Sequence, residues 1–365
     1  MRWSWGLIGA MACGEVESAQ RPPPPALTGL TRATSSEVVV TGARPGGQVW
    51  VLASSATGAG PCPPVFAGGC LDLASPVTLL GWGTADASGA ATVAVVAPPE
   101  LPDDVFVQAG GAWGTTPLAP ATVGDPAVWT PAPGTTWQWQ LQGTIDTSFD
   151  VEMYDVDLFD TPTAVIDQLH ADGRAVVCYL SAGSWESWRS DAAAFPVSTR
   201  GQPLDGWPGE RWLDIRNVAV RNALEARLDL AAARGCDAVE PDNVDGYTNN
   251  TGFPLRAADQ LAFNRFLAAE AHARGLSVGL KNDVGQLAAL VGWFDWALNE
   301  ECYAYAECRR YQPFVAAGKA VFHVEYPAAG EDPAALAAQV CAVGLPFETL
   351  IKPLLLGPER YACAP

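Results

Sequence analysis

The segment CDAVEPDNVDGY, residues 236–247, places Asp237, Glu240, Asp242 and Asp245 within nine positions. Carboxylates this close repel and shift one another's proton affinities, so the crowding calls for a metal, a solvated loop or a catalytic task. A second acidic stretch, Glu300–Glu301 in FDWALNEEC, stands at the end of another apolar run. Two carboxylates facing each other across a pocket are what glycoside hydrolysis requires. One protonates the leaving oxygen while the other attacks the anomeric carbon or activates water; a separation of roughly 5 Å favours retention and roughly 6.5–9.5 Å inversion. Metal chemistry fits less well. With Gly246 at the sixth position of a calcium loop, Pro241 falls where the first carboxylate belongs, and His170, His272 and His323 are too dispersed for a zinc trio. No metal and no cofactor are expected. A serine hydrolase is weaker still, because SAGSW lacks the second glycine of GxSxG.

Such a pair needs elements to position it. From Thr136 onward, eight strand-length apolar runs (TWQWQLQ, DVEMYDVD, RAVVCYLS, CDAVEPD, LSVGLKN, FDWALNE, AVFHVEY and ETLIKPLL) alternate with amphipathic stretches such as PTAVIDQLHADG and AADQLAFNRFLAAEAHARG. That alternation predicts an α/β fold, a (β/α)8 TIM barrel, and no GxGxxG follows the first strand to suggest a dinucleotide site. Function in such a barrel gathers at the C-terminal ends of the strands. Here the chain leaves its apolar runs on Gln140, Asp157, Tyr179 with Ser181, Asp242, Lys281 with Asn282, Glu300, and Glu325 with Tyr326. Asp242 ends the fourth strand and Glu300 the sixth, so both can point into one central funnel. Glu240 and Asp242 share strand parity and both face the axis, and either can be the attacking group. Asp237 faces outward or caps a turn, and Asp245–Gly246 is a turn that sets a carboxylate at the rim. Aromatic residues in TWQWQ, GSWESW, GYTN and ECYAY offer faces for sugar rings, although Trp137 and Trp139 suit a core equally well.

Ahead of the barrel, residues 1–20 read as an export signal whose apolar run is too short to span a bilayer. Ala10-Met11-Ala12-Cys13 resembles a bacterial lipoprotein cleavage site, which would make Cys13 the lipid carrier; plain secretion, with cleavage after Ala12 or near Gln20, is the alternative. Residues 21–26 form a proline-rich tether. Residues 27–124 carry period-2 stretches with recurring turn signals and predict a small all-β module, an immunoglobulin- or fibronectin-like sandwich, before a catalytic domain over residues 125–365. Nine cysteines are odd, and setting Cys13 aside leaves eight to pair in an oxidising compartment. Spacing predicts Cys62–Cys70, Cys302–Cys308 and Cys341–Cys363, with Cys178 and Cys236 as buried thiols or a fourth bridge. The net charge of −19 argues against nucleic acid and anionic membrane surfaces and favours a cationic ligand. A monomer is expected, attached to a membrane only through a lipid anchor, as a secreted or cell-surface protein of a bacterium.

The motifs YLSAGSWE, WLDIRN, VEPDNVDGY, GLKND and NEECYAY, in this order, resemble glycoside hydrolase family 114, the endo-α-1,4-polygalactosaminidase-like proteins, over residues 134–365. The resemblance implies a (β/α)8 hydrolase acting on α-1,4-linked galactosamine polymers, the cationic exopolysaccharides of biofilms, by an expected retaining mechanism. It implies Asp242 as nucleophile and Glu300 as general acid/base, with Asp157, Tyr179, Asn243, Lys281 and Asn282 lining the substrate site. Gln140, Glu240, Asp245 and Glu325 join that lining by position. Strand alternation turns Glu301 away, and a bulge would exchange it with Glu300. Alternatives are a carbohydrate-binding surface protein without turnover and a glycosidase on another α-linked glycan. The β-module is similar in texture to sandwich modules of secreted bacterial surface proteins.

Overall fold

The computed structural model describes residues 22–27, 29–66 and 69–363, so the expected export signal and Cys13 lie outside the described residues. The chain divides into two units, one ending at Pro126 and the other beginning at Ala127.

The first unit is built from β-strands: β1 (Leu30–Thr31), β2 (Ser35–Val40), β3 (Gln48–Ser54), β4 (Thr78–Thr84), β5 (Ala91–Val96), β6 (Asp104–Gly111), β7 (Gly114–Thr115) and β8 (Ala119–Gly124). One sheet runs β1-β8-β6-β3-β4 with β7 on β6, and β2 pairs with β5 in a second. In β5, Ala91, Val93 and Val95 are buried while Thr92 and Ala94 are exposed, the period of a strand with one covered face. These valines join Val38, Val40, Val49, Val51, Val105 and Val107 in one apolar core.

In the second unit eight parallel strands are hydrogen-bonded in sequence order. They are β9 (Trp137–Gln140), β10 (Met153–Asp157), β11 (Ala175–Ser181), β15 (Ala238–Asp242), β16 (Ser277–Lys281), β17 (Trp296–Glu300), β18 (Val321–Glu325) and β19 (Glu348–Ile351). A small antiparallel sheet of β12 (Ser184–Glu186), β13 (Arg200–Pro203) and β14 (Glu210–Leu213) leaves the chain after β11, and β20 (Tyr361–Ala362) pairs antiparallel with β19. Helices α1 (Thr163–Ala171), α2 (Val218–Ala233), α3 (Ala257–Ala273), α4 (Leu287–Leu290), α5 (Gln312–Ala316) and α6 (Pro333–Cys341) fill the crossovers. The eight apolar runs of the sequence are these eight strands. Their sheet is curled: Trp137 on β9 donates its indole N–H to Glu348 O on β19 at 2.8 Å, and its ring lies 4.8 Å from that of Phe322 on β18. No helix among the described residues is long and apolar enough to cross a membrane.

Strand parity decides what the curled sheet encloses. Trp137, Trp139, Met153, Val177, Ala238, Trp296, Leu298, Phe322, Val324 and Leu350 form its buried apolar core. The next residues of the same parity toward the C-terminal strand ends are polar: Asp155, Tyr179, Glu240 then Asp242, Lys281, Glu300 and Tyr326. A packed apolar floor thus supports a polar layer above it.

Four disulfides are present among the described residues, the three predicted from spacing and Cys178–Cys236 as the fourth. The last joins β11 to the approach of β15 and closes a loop that contains the small sheet and α2. We expect the double variant Cys178→Ala/Cys236→Ala to lose about 2–4 kcal/mol of stability through the freed loop entropy, read by denaturant unfolding. A loss below about 1 kcal/mol would contradict a cross-linking role for this bridge.

Candidate active site

Lys281, at the end of β16, is 2% exposed, yet its ammonium faces three carboxylates. Nζ lies 2.8 Å from Glu240 Oε1, 3.4 Å from Asp242 Oδ1 and 3.3 Å from Glu300 Oε2. Beneath it, the Trp139 ring lies 4.6 Å away, so the aromatic face adds a cation–π contact. Burial works against the charged lysine, but Asp242, Glu240 and Glu300 together outweigh it and hold its pKa well above the ordinary value. The strands β15, β16 and β17 are neighbours, and parity aims all four side chains at the same point.

Asp242 and Glu300 are held alike. Asp242 Oδ2 accepts from the Tyr179 hydroxyl at 3.1 Å, while Oδ1 faces Lys281 and accepts from the Asn243 N–H at 2.7 Å. Glu300 Oε1 accepts a short bond from the Tyr326 hydroxyl, while Oε2 faces Lys281 and accepts from Asn282 Nδ2 at 3.1 Å. Burial first, and then the adjoining carboxylate, keeps both tyrosines far above their usual pKa, so both remain donors. The side chains of Asp242 and Glu300 are 20% and 26% exposed, against 0% for Glu240. A ligand can therefore reach the first two, and Glu240 lies underneath.

Each strand exit turns sharply just after the side chain it places. Asn243, Asn282 and Glu301 follow Asp242, Lys281 and Glu300, and all three have positive φ, 62°, 48° and 62°. Such backbone costs roughly 1–3 kcal/mol for a residue with a side chain, least for asparagine, and it concentrates at sites that over-determine it. Glu301 is thereby turned from the ammonium, and no bulge exchanges it with Glu300. Asn282 pins its loop by accepting from Glu300 N at 3.0 Å. On the other side, Ala182 N and Gly183 N both donate to Asp242 O, at 2.9 and 3.0 Å. A Cβ on Gly183 would stand 1.7 Å from Asn243 O, so only glycine lets the two exit loops meet. Asn243 also donates to Ser181 Oγ, and a chain of hydroxyls continues through Ser184 to Glu210, whose pKa burial pushes up to about 7.

Other expected residues do not join the cluster. Gln140 has outward parity and is buried against its own exit loop, bonding Gln142 O, Thr144 O and Asp146 N. Asp157 has inward parity but is 4% exposed and doubly bonded by Arg189, at 2.9 and 2.6 Å. Arg189 also binds Glu186, which Arg227 shares, so Asp157 anchors the small sheet rather than a ligand. Glu325 faces outward and accepts from Tyr303 N, Ala304 N and His323, while Tyr326 takes the inward position. Asp245 sits half-buried near the pair, its pKa raised to about 6 by burial and then by Asp242. Beside it Asp283 is raised to about 8, by burial and then by Asp245. Two participants were not singled out from sequence as site residues: Tyr326, whose parity with Val324 marks it as inward, and Asp155, which has the parity of Asp157. Cys302, Cys308 and His323 come close enough to hold a metal, but the sulfurs form a disulfide and the imidazole bonds Thr349 and Glu325.

A family model, glycoside-hydrolase family GH114, matches residues 119–364. Among solved structures, the chain is similar to Aspergillus fumigatus Ega3 in complex with galactosamine, with 43% identity and a TM-score of 0.62, over 65% of this chain and 98% of that one. It also resembles the glycoside hydrolase domain of PelA from Pseudomonas aeruginosa, at 14% identity and a TM-score of 0.50, over 62% of this chain and 97% of that one. That likeness is one of fold. An uncharacterized protein of Deinococcus radiodurans is 29% identical over 52% of this chain and 71% of its own length.

Removing the ammonium leaves Glu240 buried without its partner and Asp242 and Glu300 without the cation between them. Lys281→Met is expected to cost about 3–5 kcal/mol in denaturant unfolding, and Glu240→Gln in the same chain to return a large part of it. Simple additivity of the two changes would show that the pair is not coupled.

Proposed function

The chain belongs to glycoside-hydrolase family GH114, and on that premise we propose that it hydrolyses internal α-1,4 linkages of a galactosamine-containing exopolysaccharide with retention. Asp242 attacks the anomeric carbon and Glu300 serves as general acid and then as base. The observation that carries this reading is the shared ammonium. With Lys281 Nζ 3.4 Å from Asp242 Oδ1 and 3.3 Å from Glu300 Oε2, those oxygens are less than about 7 Å apart, within the span over which paired carboxylates act.

The placement of Lys281 suits both halves of the reaction. Before attack, Asp242 is ionised and Glu300 carries the proton for the leaving oxygen. Once Asp242 has become a glycosyl ester its charge is gone, and Glu300, having given up its proton, is the anion. In either state one of the two carboxylates faces the ammonium with a full charge, so the charge moves across the site while the cation stays still. Glu300 then takes a proton from water, which displaces the sugar from Asp242. No cofactor is required by these steps.

The amino sugar is supported by the galactosamine bound to the Ega3 relative and by the chemistry of this site. Three carboxylates face Lys281, Asp245 lies beside the pair, and the whole chain carries a net charge of −19. A polymer of ammonium-bearing sugars meets a favourable field there. The curled eight-stranded sheet with its crossover helices supports a (β/α)8 barrel over residues 125–365, and the two sheets around one valine-rich core, antiparallel but for the β1–β8 pair, support a sandwich module over residues 27–124. Four disulfides suit an exported, cell-surface or secreted protein of a bacterium. In this reading Cys13 bears the lipid, and the chain acts as a monomer.

Incubation with partly deacetylated α-1,4-galactosamine polymer is expected to release oligosaccharides whose first-formed reducing ends are α by NMR. Asp242→Asn and Glu300→Gln are each expected to lower kcat/KM by at least about a thousandfold while leaving the fold intact. Full activity in both variants would exclude the paired mechanism, and β products would exclude retention.

A further inference from the structure

Below the reactive pair lies a second pair of carboxyls that the mechanism above leaves unused. Asp155 on β10 and Glu240 on β15 are both 0% exposed and of inward parity, and each carboxyl lies close enough to the other to shift its proton affinity. Glu240 Oε1 is taken by Lys281 at 2.8 Å. Among the described residues, no N–H or hydroxyl reaches Glu240 Oε2 or either oxygen of Asp155. Two acceptor-only groups buried face to face repel without gaining a bond, whereas one proton between them satisfies both. The groups around Asp155 leave little choice of where that proton comes from. β9 contributes Trp139, β11 Tyr179, whose hydroxyl is committed to Asp242, β15 Glu240 and Asp242, and β16 Lys281, whose ammonium bonds Glu240.

We propose that Asp155 is a positioning residue of this site: as a neutral carboxylic acid it donates its O–H to Glu240 Oε2, which keeps Glu240 ionised against Lys281 and so keeps the ammonium between Asp242 and Glu300. This rests on the reading of Asp242 and Glu300 as the reacting pair. Burial, and after it the charge of Glu240, raises Asp155 well above the ordinary carboxyl range, which agrees with Asp155 holding the proton at neutral pH. Glu240 is raised only to about 7, because Lys281 and the Asp155 hydrogen bond both work against its burial. Removing the donor removes one of those two restraints. Glu240 then takes up a proton at a higher pH than before, and its 2.8 Å bond to Lys281 weakens as it does so. The site therefore fails on the acidic side first, and raising the pH restores it. Asp155 touches neither substrate nor reacting atoms; it acts through Glu240 and Lys281.

The test compares Asp155→Asn, which keeps a neutral donor of the same shape, with Asp155→Leu, which keeps the volume and removes the donor, using the full chain. For Asp155→Asn, kcat/KM is expected to stay within about fivefold of the parent with the acidic limb of its pH profile unmoved. For Asp155→Leu, kcat/KM is expected to fall about tenfold at the acidic end, with that limb displaced upward by about one unit and activity recovered above it. The infrared spectrum of the parent at neutral pH is expected to contain a buried carboxylic-acid carbonyl band that the Asp155→Asn variant lacks. That readout holds even if the leucine variant fails to fold. An asparagine variant as impaired as the leucine one, a folded leucine variant with an unmoved limb, or no such band would each overturn the proposal. Asp242→Asn, run alongside, separates the two readings: activity in that control would remove the reacting pair itself, whatever Asp155 does.

Discussion

One buried ammonium holds the site together. At an interior position, Lys281 is tolerable only because three carboxylates converge on it, and the carboxylates can approach one another only because it stands between them. Neither half of that arrangement is stable alone. Such a cluster adds little to stability compared with a well-packed apolar core, but removing one member strands the others in a medium that cannot hydrate them. Its value lies in position. Two solvent-accessible acids are fixed to one point, which the rest of the unit is arranged to support.

Three layers of support can be followed downward. At the top, tyrosine hydroxyls from β11 and from the residue after β18 orient the outer oxygens of Asp242 and Glu300. In the middle, left-handed residues at three successive strand exits turn the backbone away as soon as each functional side chain has been placed. Two of the three, Asn243 and Asn282, have short amides that suit that region and bond the site at the same time; the third is Glu301. At the bottom, Trp137, Trp139, Trp296 and Phe322 pack the interior, and the Trp139 ring gives Lys281 an aromatic floor. The Arg189–Glu186–Arg227 network does similar work for the small sheet after β11, and it is this demand that claims Asp157.

Much of this was legible in the sequence because strand periodicity and exit residues are local. All eight strands of the curled sheet coincide with apolar runs, and the shared parity of Glu240 and Asp242 placed both inward. Exposure then separates them, since 0% against 20% leaves only Asp242 within a ligand's reach. The misplaced residues failed for non-local reasons. Gln140 and Glu325 end their strands with the wrong parity, a matter of register by one residue that the end of an apolar run does not fix. Asp157 has the right parity, but Arg189 lies on another element and only the fold brings it there. Asp155 was passed over because it lies one layer below the exits, where a carboxyl is not expected without a partner. The Cys178–Cys236 bridge stayed undecided for the same reason, as it joins strands whose adjacency is a property of the sheet.

The central claim is that Asp242, held on Lys281 opposite Glu300, is the group that bonds to the sugar. Its most direct test is to trap that bond. The enzyme would be incubated with a fluorinated galactosaminyl fluoride that forms the glycosyl ester quickly and releases it slowly, then digested and mapped by mass spectrometry. The account predicts a single sugar adduct on the peptide containing Asp242, absent from Asp242→Asn. An adduct on Glu240 or Glu300, or turnover without any adduct and with inverted product, would contradict it.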